Sequence, residues 1–196
     1  ICKINFFEND PVYMSYARHP AVLDCVESLL GPDLLFVNSM VITKPPGVDG
    51  RHPLHQDLLY FGFRPGDAVV GTWTALEPVT RENGCLAVLP GSHRGELLEH
   101  EVPDWEHVNF AYVGAKGVGG RAKRVHVEME PGDTLFFHSL LLLHLCNNHR
   151  LNEIHLRLEC LKLSHWHSLR LPHRRCCRWC RWRDTKRSTL LNKLMR

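Results

Sequence analysis

At 196 residues and 22.6 kDa, with 44% hydrophobic and 23% charged residues, the chain has the size and make-up of a single globular domain, which excludes a disordered or fibrous protein. Its longest apolar run, Leu140 to Leu143, falls far short of the roughly 18 residues that cross a bilayer, so no membrane span is expected. The net charge of +3 hides an asymmetry: residues 145–196 hold 13 Lys/Arg against 3 Asp/Glu, leaving 11 and 18 for residues 1–144. Five of the eight cysteines also lie beyond residue 145. The chain is nonetheless rich enough in ordinary core residues not to need disulfide staples, and reduced thiols are expected. The opening Ile-Cys-Lys-Ile-Asn-Phe-Phe, with no Met or secretory leader, reads as a truncated or processed start.

Taken in chain order, the first periodic segment is 20–30. There Ala21, Val22, Leu23, Val26, Leu29 and Leu30 recur at helical spacing before a Gly31-Pro32 stop, which predicts a helix. Strand-type runs follow, each closed by turn residues: 34–43 before Lys44-Pro45-Pro46-Gly47, and 55–63 before Arg64-Pro65-Gly66-Asp67. Residues 68–76, 85–89, 124–130 and 134–143 continue the pattern. Pro131-Gly132-Asp133 reads as the turn of a hairpin joining the last two runs. Residues 113–123, with four glycines in eleven positions, predict a mobile surface loop. Many short strands with little helix between them favour an all-β jelly roll with flanking helices.

Within this frame His55-Gln56-Asp57 sets an imidazole and a carboxylate two positions apart. In a strand both leave on one face and can reach one metal ion. A distant second His would complete a two-His-one-carboxylate triad, leaving positions open on Fe(II) for an α-keto acid and O₂, the arrangement of non-haem oxygenases. The triplet alone is a weak signal, because most such pairs are surface polar residues.

Its surroundings are more specific. Lys44-Pro45-Pro46, Arg51-His52-Pro53-Leu54-His55-Gln56-Asp57-Leu58, Tyr60-Phe61 and Phe63-Arg64-Pro65 resemble the metal-binding region of the phytanoyl-CoA hydroxylase family. Trp73-Thr74-Ala75, Asn83-Gly84-Cys85-Leu86, Val88-Leu89-Pro90-Gly91-Ser92-His93, Gly132-Asp133-Thr134 and Phe136-Phe137-His138 continue the resemblance in the same order. Over residues 1–144 it implies a cupin-like double-stranded β-helix dioxygenase domain that uses Fe(II), 2-oxoglutarate and O₂. The implied reaction hydroxylates the 2-position of a branched fatty acyl-CoA, phytanoyl-CoA, in fatty acid alpha-oxidation. Ascorbate is the implied accessory cofactor and the peroxisome the implied compartment. By matching motif positions, His55 and Asp57 would bind iron, and Lys3, Met40 and Trp73 would contact 2-oxoglutarate. Read from the residues alone, Lys3 suits a carboxylate, whereas Met40 and Trp73 on apolar strands read as core.

The pattern departs after His138. The family continues with Pro, a short apolar run, a second iron His in a His-Gly-Ser-Gly context and a Gly-Phe-Arg whose arginine holds the far carboxylate of 2-oxoglutarate. Here the chain reads His138-Ser139-Leu140-Leu141-Leu142-Leu143-His144-Leu145-Cys146. His144 is the candidate third ligand, but it stands six positions after His138, one more than the family spacing. One extra residue turns a strand side chain to the opposite face, and a bulge would restore it. His138 is the alternative ligand, and Arg157 is the substitute for the missing arginine.

The segment 145–196 has no Gly and no sustained strand alternation, and it runs into a basic Cys/Arg/Trp stretch at 173–183. A shifted reading frame or alternative exon from about residue 139 accounts for this and predicts a poorly ordered tail. Three function classes follow in order: the dioxygenase; a catalytically inactive β-helix that binds acyl-CoA or a protein; and a nucleic-acid or anionic-surface binder driven by the tail. No nucleic-acid partner is expected for the first two.

Overall fold

A computed structural model describes residues 4–5, 9–45, 51–62, 64–105, 112–118 and 123–147, together with the backbone of Lys3 and of 155–164. The chain enters on β1 (Lys3–Asn5) and turns into α1 (Pro11–Ala17). Asp10 starts that helix, its Oδ1 accepting from the backbone N–H groups of Val12 at 2.8 Å and Tyr13 at 3.1 Å. Pro11 follows where no N–H is required. The helix α2 (Pro20–Leu30) matches the predicted periodicity, opening on Pro20 and closing at Gly31, whose φ of 84° suits glycine.

All remaining elements are strands and short 3-10 turns. They are β2 (Leu34–Lys44), β3 (His52–Gln56), β4 (Val69–Ala75), β5 (Leu86–Val88), β6 (His100–Glu101), β7 (Gly114–Ala115), β8 (Val125–Val127), β9 (Thr134–His138), β10 (Leu142–Leu145) and β11 (His155–Ser164). They form a five-stranded sheet β1-β2-β11-β4-β9, a four-stranded sheet β3-β10-β5-β8 and the small pair β6-β7. Every strand pairing is antiparallel.

The strand periodicity decides where the core sits. Ile42, Trp73, Leu135 and Phe137 of the five-stranded sheet cluster with Leu86, Val88, Val127, Leu143 and Leu145 of the four-stranded one, so the inner faces of the sheets share one core. The outer face of the larger sheet is covered by helices: Val70 and Phe136 pack under Val22, Val26 and Leu30 of α2, and Val41 under Tyr13 and Tyr16 of α1. Burying an aliphatic side chain of this kind contributes about 1.5–3 kcal/mol, so α1 and α2 are fixed by the sheet they cover. Two antiparallel sheets face to face with helices outside are the expected jelly roll.

Three local expectations are corrected. Residues 124–130 and 134–143 do not form a hairpin: β8 pairs with β5 in one sheet and β9 with β4 in the other. The Pro131-Gly132-Asp133 turn therefore hands the chain between sheets. It is pinned to β4 by Gly132 N–H to Ala75 O at 2.8 Å and Ala75 N–H to Asp133 O at 3.1 Å. The run 55–63 is not a single strand, because β3 ends at Gln56 and Asp57–Tyr60 is a 3-10 turn. The stretch 113–123 begins with β7, whose Gly114 and Ala115 pair with Glu101 and His100. Beyond Leu145, β11 lies between β2 and β4 in the larger sheet, a strand the tail's composition did not suggest. The basic stretch 173–183 lies outside the described residues. Among the described residues no helix is long and apolar enough to cross a membrane.

Candidate metal centre

The last two residues of β3 and the first of the following turn build the site. His55 is paired across the ladder with Leu143, a core residue, so its ring faces the interior, where it is 2% exposed. The strand ends before Asp57, so simple alternation no longer applies. The 3-10 turn nevertheless brings the carboxylate back, with His55 Nε2 3.1 Å from Asp57 Oδ1.

Two observations say what this pair is shaped to hold. His55 Nδ1 lies 2.7 Å from the carbonyl of Pro53, so that nitrogen donates its N–H to the backbone and Nε2 is the one turned to Asp57, the orientation of a metal-binding histidine held by a backbone partner. At that separation the two atoms can share a proton or stand as neighbouring ligands of one cation. Two donors bonded at about 2.1 Å and at right angles to one ion stand about 3.0 Å apart, close to the separation found here. Asp57 Oδ2 is also buried and has no hydrogen-bond partner among the described residues, and buried carboxylate oxygens are ordinarily satisfied. The donor set fits a divalent cation at two positions.

Gln56, between the two donors, is 1% exposed and fully engaged. Its Nε2 donates to Glu96 O at 3.1 Å and Leu140 O at 2.9 Å, and its Oε1 accepts from Leu98 N–H at 2.8 Å. Its backbone N–H donates to His100 Nε2 at 3.2 Å. His100 has its pKa lowered by burial, opposed by its bond to the Leu98 carbonyl. Sequence reasoning gave no role to His52, yet its ring stacks on His55 at 3.7 Å and on Tyr112 at 4.2 Å, and its Nε2 lies 3.1 Å from Tyr60 Oη. The ladder explains this: Leu143 opposes His55 and Leu145 opposes His52, so three steps of β3 match two of β10. That bulge puts residues of unlike parity on one face. Tyr60 and Tyr112 close the same corner.

The other expected site residues divide. Met40 and Trp73 occupy one register row, each opposite Glu159 of β11, and both pack on the inner core, with Trp73 fully buried. Lys3 and Arg157 occupy another row, each opposite Ile42. The structure therefore sets these four positions on two nearby rows of one sheet. Their relation to the His55–Asp57 pair rests on facing sheets rather than on contact.

His144 is not brought to the pair. It opposes Ala87, and its neighbours Leu143 and Leu145 both belong to the interior cluster, so alternation turns it to the other face. There it neighbours the Cys146 thiol, whose pKa is lowered by Cys85 first and by His144 next. The bulge that was to absorb the extra residue lies in β3 and leaves His144 where the count of residues puts it. His138 is engaged elsewhere, its Nε2 2.9 Å from Asp67 Oδ1 and its Nδ1 accepting from Leu140 N–H at 3.0 Å. Among the described residues no third His, Cys, Asp or Glu joins His55 and Asp57.

The paired sheets are the cupin-like double-stranded β-helix of non-haem iron, 2-oxoglutarate-dependent oxygenases. The non-heme alpha ketoglutarate dependent carbocyclase SnoK from nogalamycin biosynthesis superposes with a TM-score of 0.69 at 21% identity, over 83% of this chain and 62% of that one. The non-heme monooxygenase ThoJ gives 0.67 at 24% identity, over 77% and 54%. Residues 4–145 match the sequence profile of the phytanoyl-CoA dioxygenase (PhyH) family, and the chain belongs to that family. It is 50% identical over 149 residues to the probable phytanoyl-CoA dioxygenase of Caenorhabditis elegans, covering 72% of this chain and 48% of the relative. To the peroxisomal phytanoyl-CoA dioxygenase of Homo sapiens it is 46% identical over 146 residues, covering 72% and 43%. The chain spans less than half the length of these relatives.

Proposed function

We propose that this chain carries the iron-binding part of a dioxygenase that hydroxylates the 2-position of a branched fatty acyl-CoA, with phytanoyl-CoA as substrate and 2-oxoglutarate as co-substrate. The observation that supports it most is the buried His55 Nε2–Asp57 Oδ1 pair at 3.1 Å, with His55 Nδ1 committed to a backbone carbonyl. Fe(II) held there would supply, with 2-oxoglutarate and O₂, the oxidising power for C–H hydroxylation, releasing succinate and CO₂. The protein's part is positional. Pro53 fixes the imidazole tautomer, the 3-10 turn presents the carboxylate, and Gln56 ties both to the segments before β6 and β10. Lys3, Met40, Trp73 and Arg157 are the proposed 2-oxoglutarate contacts, a cation at either of the first and last suiting a carboxylate. Ascorbate as accessory cofactor and the peroxisome as compartment are carried over from the family and from the names of the relatives.

A second reading has its own observation. With His144 turned away, the described residues offer two protein donors rather than three, which suits a β-helix that binds acyl-CoA without turnover. Succinate formation from 2-oxoglutarate, with added Fe(II) and phytanoyl-CoA, separates the two. The dioxygenase reading expects succinate from the unmodified chain and none from His55→Ala. Acyl-CoA binding that is indifferent to iron and to His55→Ala, with no succinate from either protein, supports the second.

A further inference from the structure

Outside the His55–Asp57 site, the four-stranded sheet ends on two neighbouring cysteines. The β10/β5 ladder runs Leu143↔Val88, His144↔Ala87 and Leu145↔Leu86, and Cys146 and Cys85 are the residues that follow its last pair. Cys146 N–H donates to Cys85 O at 3.1 Å. Their side chains share one cluster, Cys85 within the inner core and Cys146 packed against it. Both are free cysteines, Cys85 fully buried and Cys146 half-buried.

Cys85 N–H turns instead to Thr80 O at 3.0 Å, so a single backbone bond joins the two residues; antiparallel neighbours so joined stand about 5.5 Å apart at Cα, inside the roughly 4.4–6.8 Å that a disulfide spans. The backbone of this corner is also closely packed. Lys44 Nζ donates to Cys146 O, and a Cβ on Gly84, at φ +93°, would stand 2.9 Å from the same carbonyl. The arrangement is thus held by neighbours rather than left to strand-end fraying.

We propose that Cys85 and Cys146 form a reversible cross-strand disulfide when the protein meets a peroxide, with Cys146 as the attacking thiol and Cys85 as the resolving one. In the first step the Cys146 sulfur attacks hydrogen peroxide: an S–O bond forms, the O–O bond breaks, and one water leaves with the thiol proton. In the second the Cys85 sulfur attacks the Cys146 sulfenic acid: the S–S bond forms, the S–O bond breaks, and a second water leaves. Two thiols give up two electrons and hydrogen peroxide is reduced to two waters. The half-buried thiol is the one a small oxidant reaches, and the buried one needs only its neighbour. The bond would tie β10, the strand beside His55, to β5 at the end where β10 leaves the sheet.

The full chain, fully reduced and then treated with hydrogen peroxide in its folded state, would be alkylated, digested without reductant and mapped by mass spectrometry. The expected result is a linked pair of peptides containing Cys85 and Cys146, cleaved by dithiothreitol, with Cys25 remaining alkylatable. In Cys146→Ser, Cys85 should stay a thiol under the same dose. Should that variant not fold, Cys146→Ala provides the same comparison, and the map of the unmodified chain decides by itself. The proposal is overturned if both thiols stay alkylatable, if Cys146 links to Cys160, Cys176, Cys177 or Cys180 instead, or if Cys85 is consumed equally without Cys146.

Discussion

Replacing Gln56 by Ala tests whether the residue between the two donors holds the site together. Its side chain makes three hydrogen bonds, to Glu96 O, Leu140 O and Leu98 N–H, and is 1% exposed. Glu96 is exposed, so its carbonyl turns to water at little cost. Leu140 O and Leu98 N–H are half-buried and lose their partner at about 1–3 kcal/mol each. The expected loss is about 2–6 kcal/mol, and with a urea slope of about 2 kcal/mol per M the midpoint falls by about 1–3 M. Gln56→Glu should be at least as damaging, since it keeps the acceptor for Leu98 but turns a carboxylate oxygen on two carbonyls. Urea unfolding followed by tryptophan fluorescence and far-UV circular dichroism reads the shift. A midpoint unchanged in Gln56→Ala, with unchanged slope, would refute the claim that this side chain clamps the site.

The remaining expectations concern the core and acid stability. Trp73→Ala removes a fully buried indole from the inner core and should cost about 3–5 kcal/mol, read by the same unfolding curve. Burial, and then the neighbouring His138, hold His93 below the usual 6.5. The unfolded chain therefore takes up a proton near pH 6.5 that the folded chain takes up only lower, so this contribution to stability is whole above that pH and is lost as pH falls below it. His100 shifts in the same direction through burial. The urea midpoint should decline from about pH 7.5 to about pH 5 and decline less steeply in His93→Gln. A midpoint that rises on acidification contradicts the assignment.

What could be read in the chain and what could not divides along a physical line. The helix α2 and the strands β2 and β4 were legible because a buried face imposes its period on the sequence, whereas the run 134–143 is split between β9 and β10 of different sheets. The helix α1 was not: it is seven residues long, its Val12 is 73% exposed, and its start rests on one side-chain cap. Pro131-Gly132-Asp133 announced a turn, but turn chemistry sets a bend and not the sheet that the next strand joins. At the site, His55 and Asp57 were legible as a pair of donor types, although the turn and not the strand converges them. His52 was hidden because only a bulge, which leaves no mark in composition, puts it on the face of His55.

His144 shows the same logic in reverse, and it can be tested. The extra residue after His138 predicts a side chain on the wrong face, and the fold keeps it there because Leu143 and Leu145 take the interior positions. Turning β10 over would expose both leucines, at about 1.5–3 kcal/mol each, which no single imidazole contact repays. Deleting Leu142 imposes the other register on β10, with Leu143 and Leu145 leaving the interior at the cost just given. His144 would then take the place of Leu143, opposite His55, and opposed residues share a face. The shortened chain should bind Fe(II) or Ni(II) at least about tenfold more tightly than the unmodified one, which is about 1.4 kcal/mol, and His55→Ala should remove the gain. Equal affinities in two folded proteins would show that register is not what keeps the third ligand away.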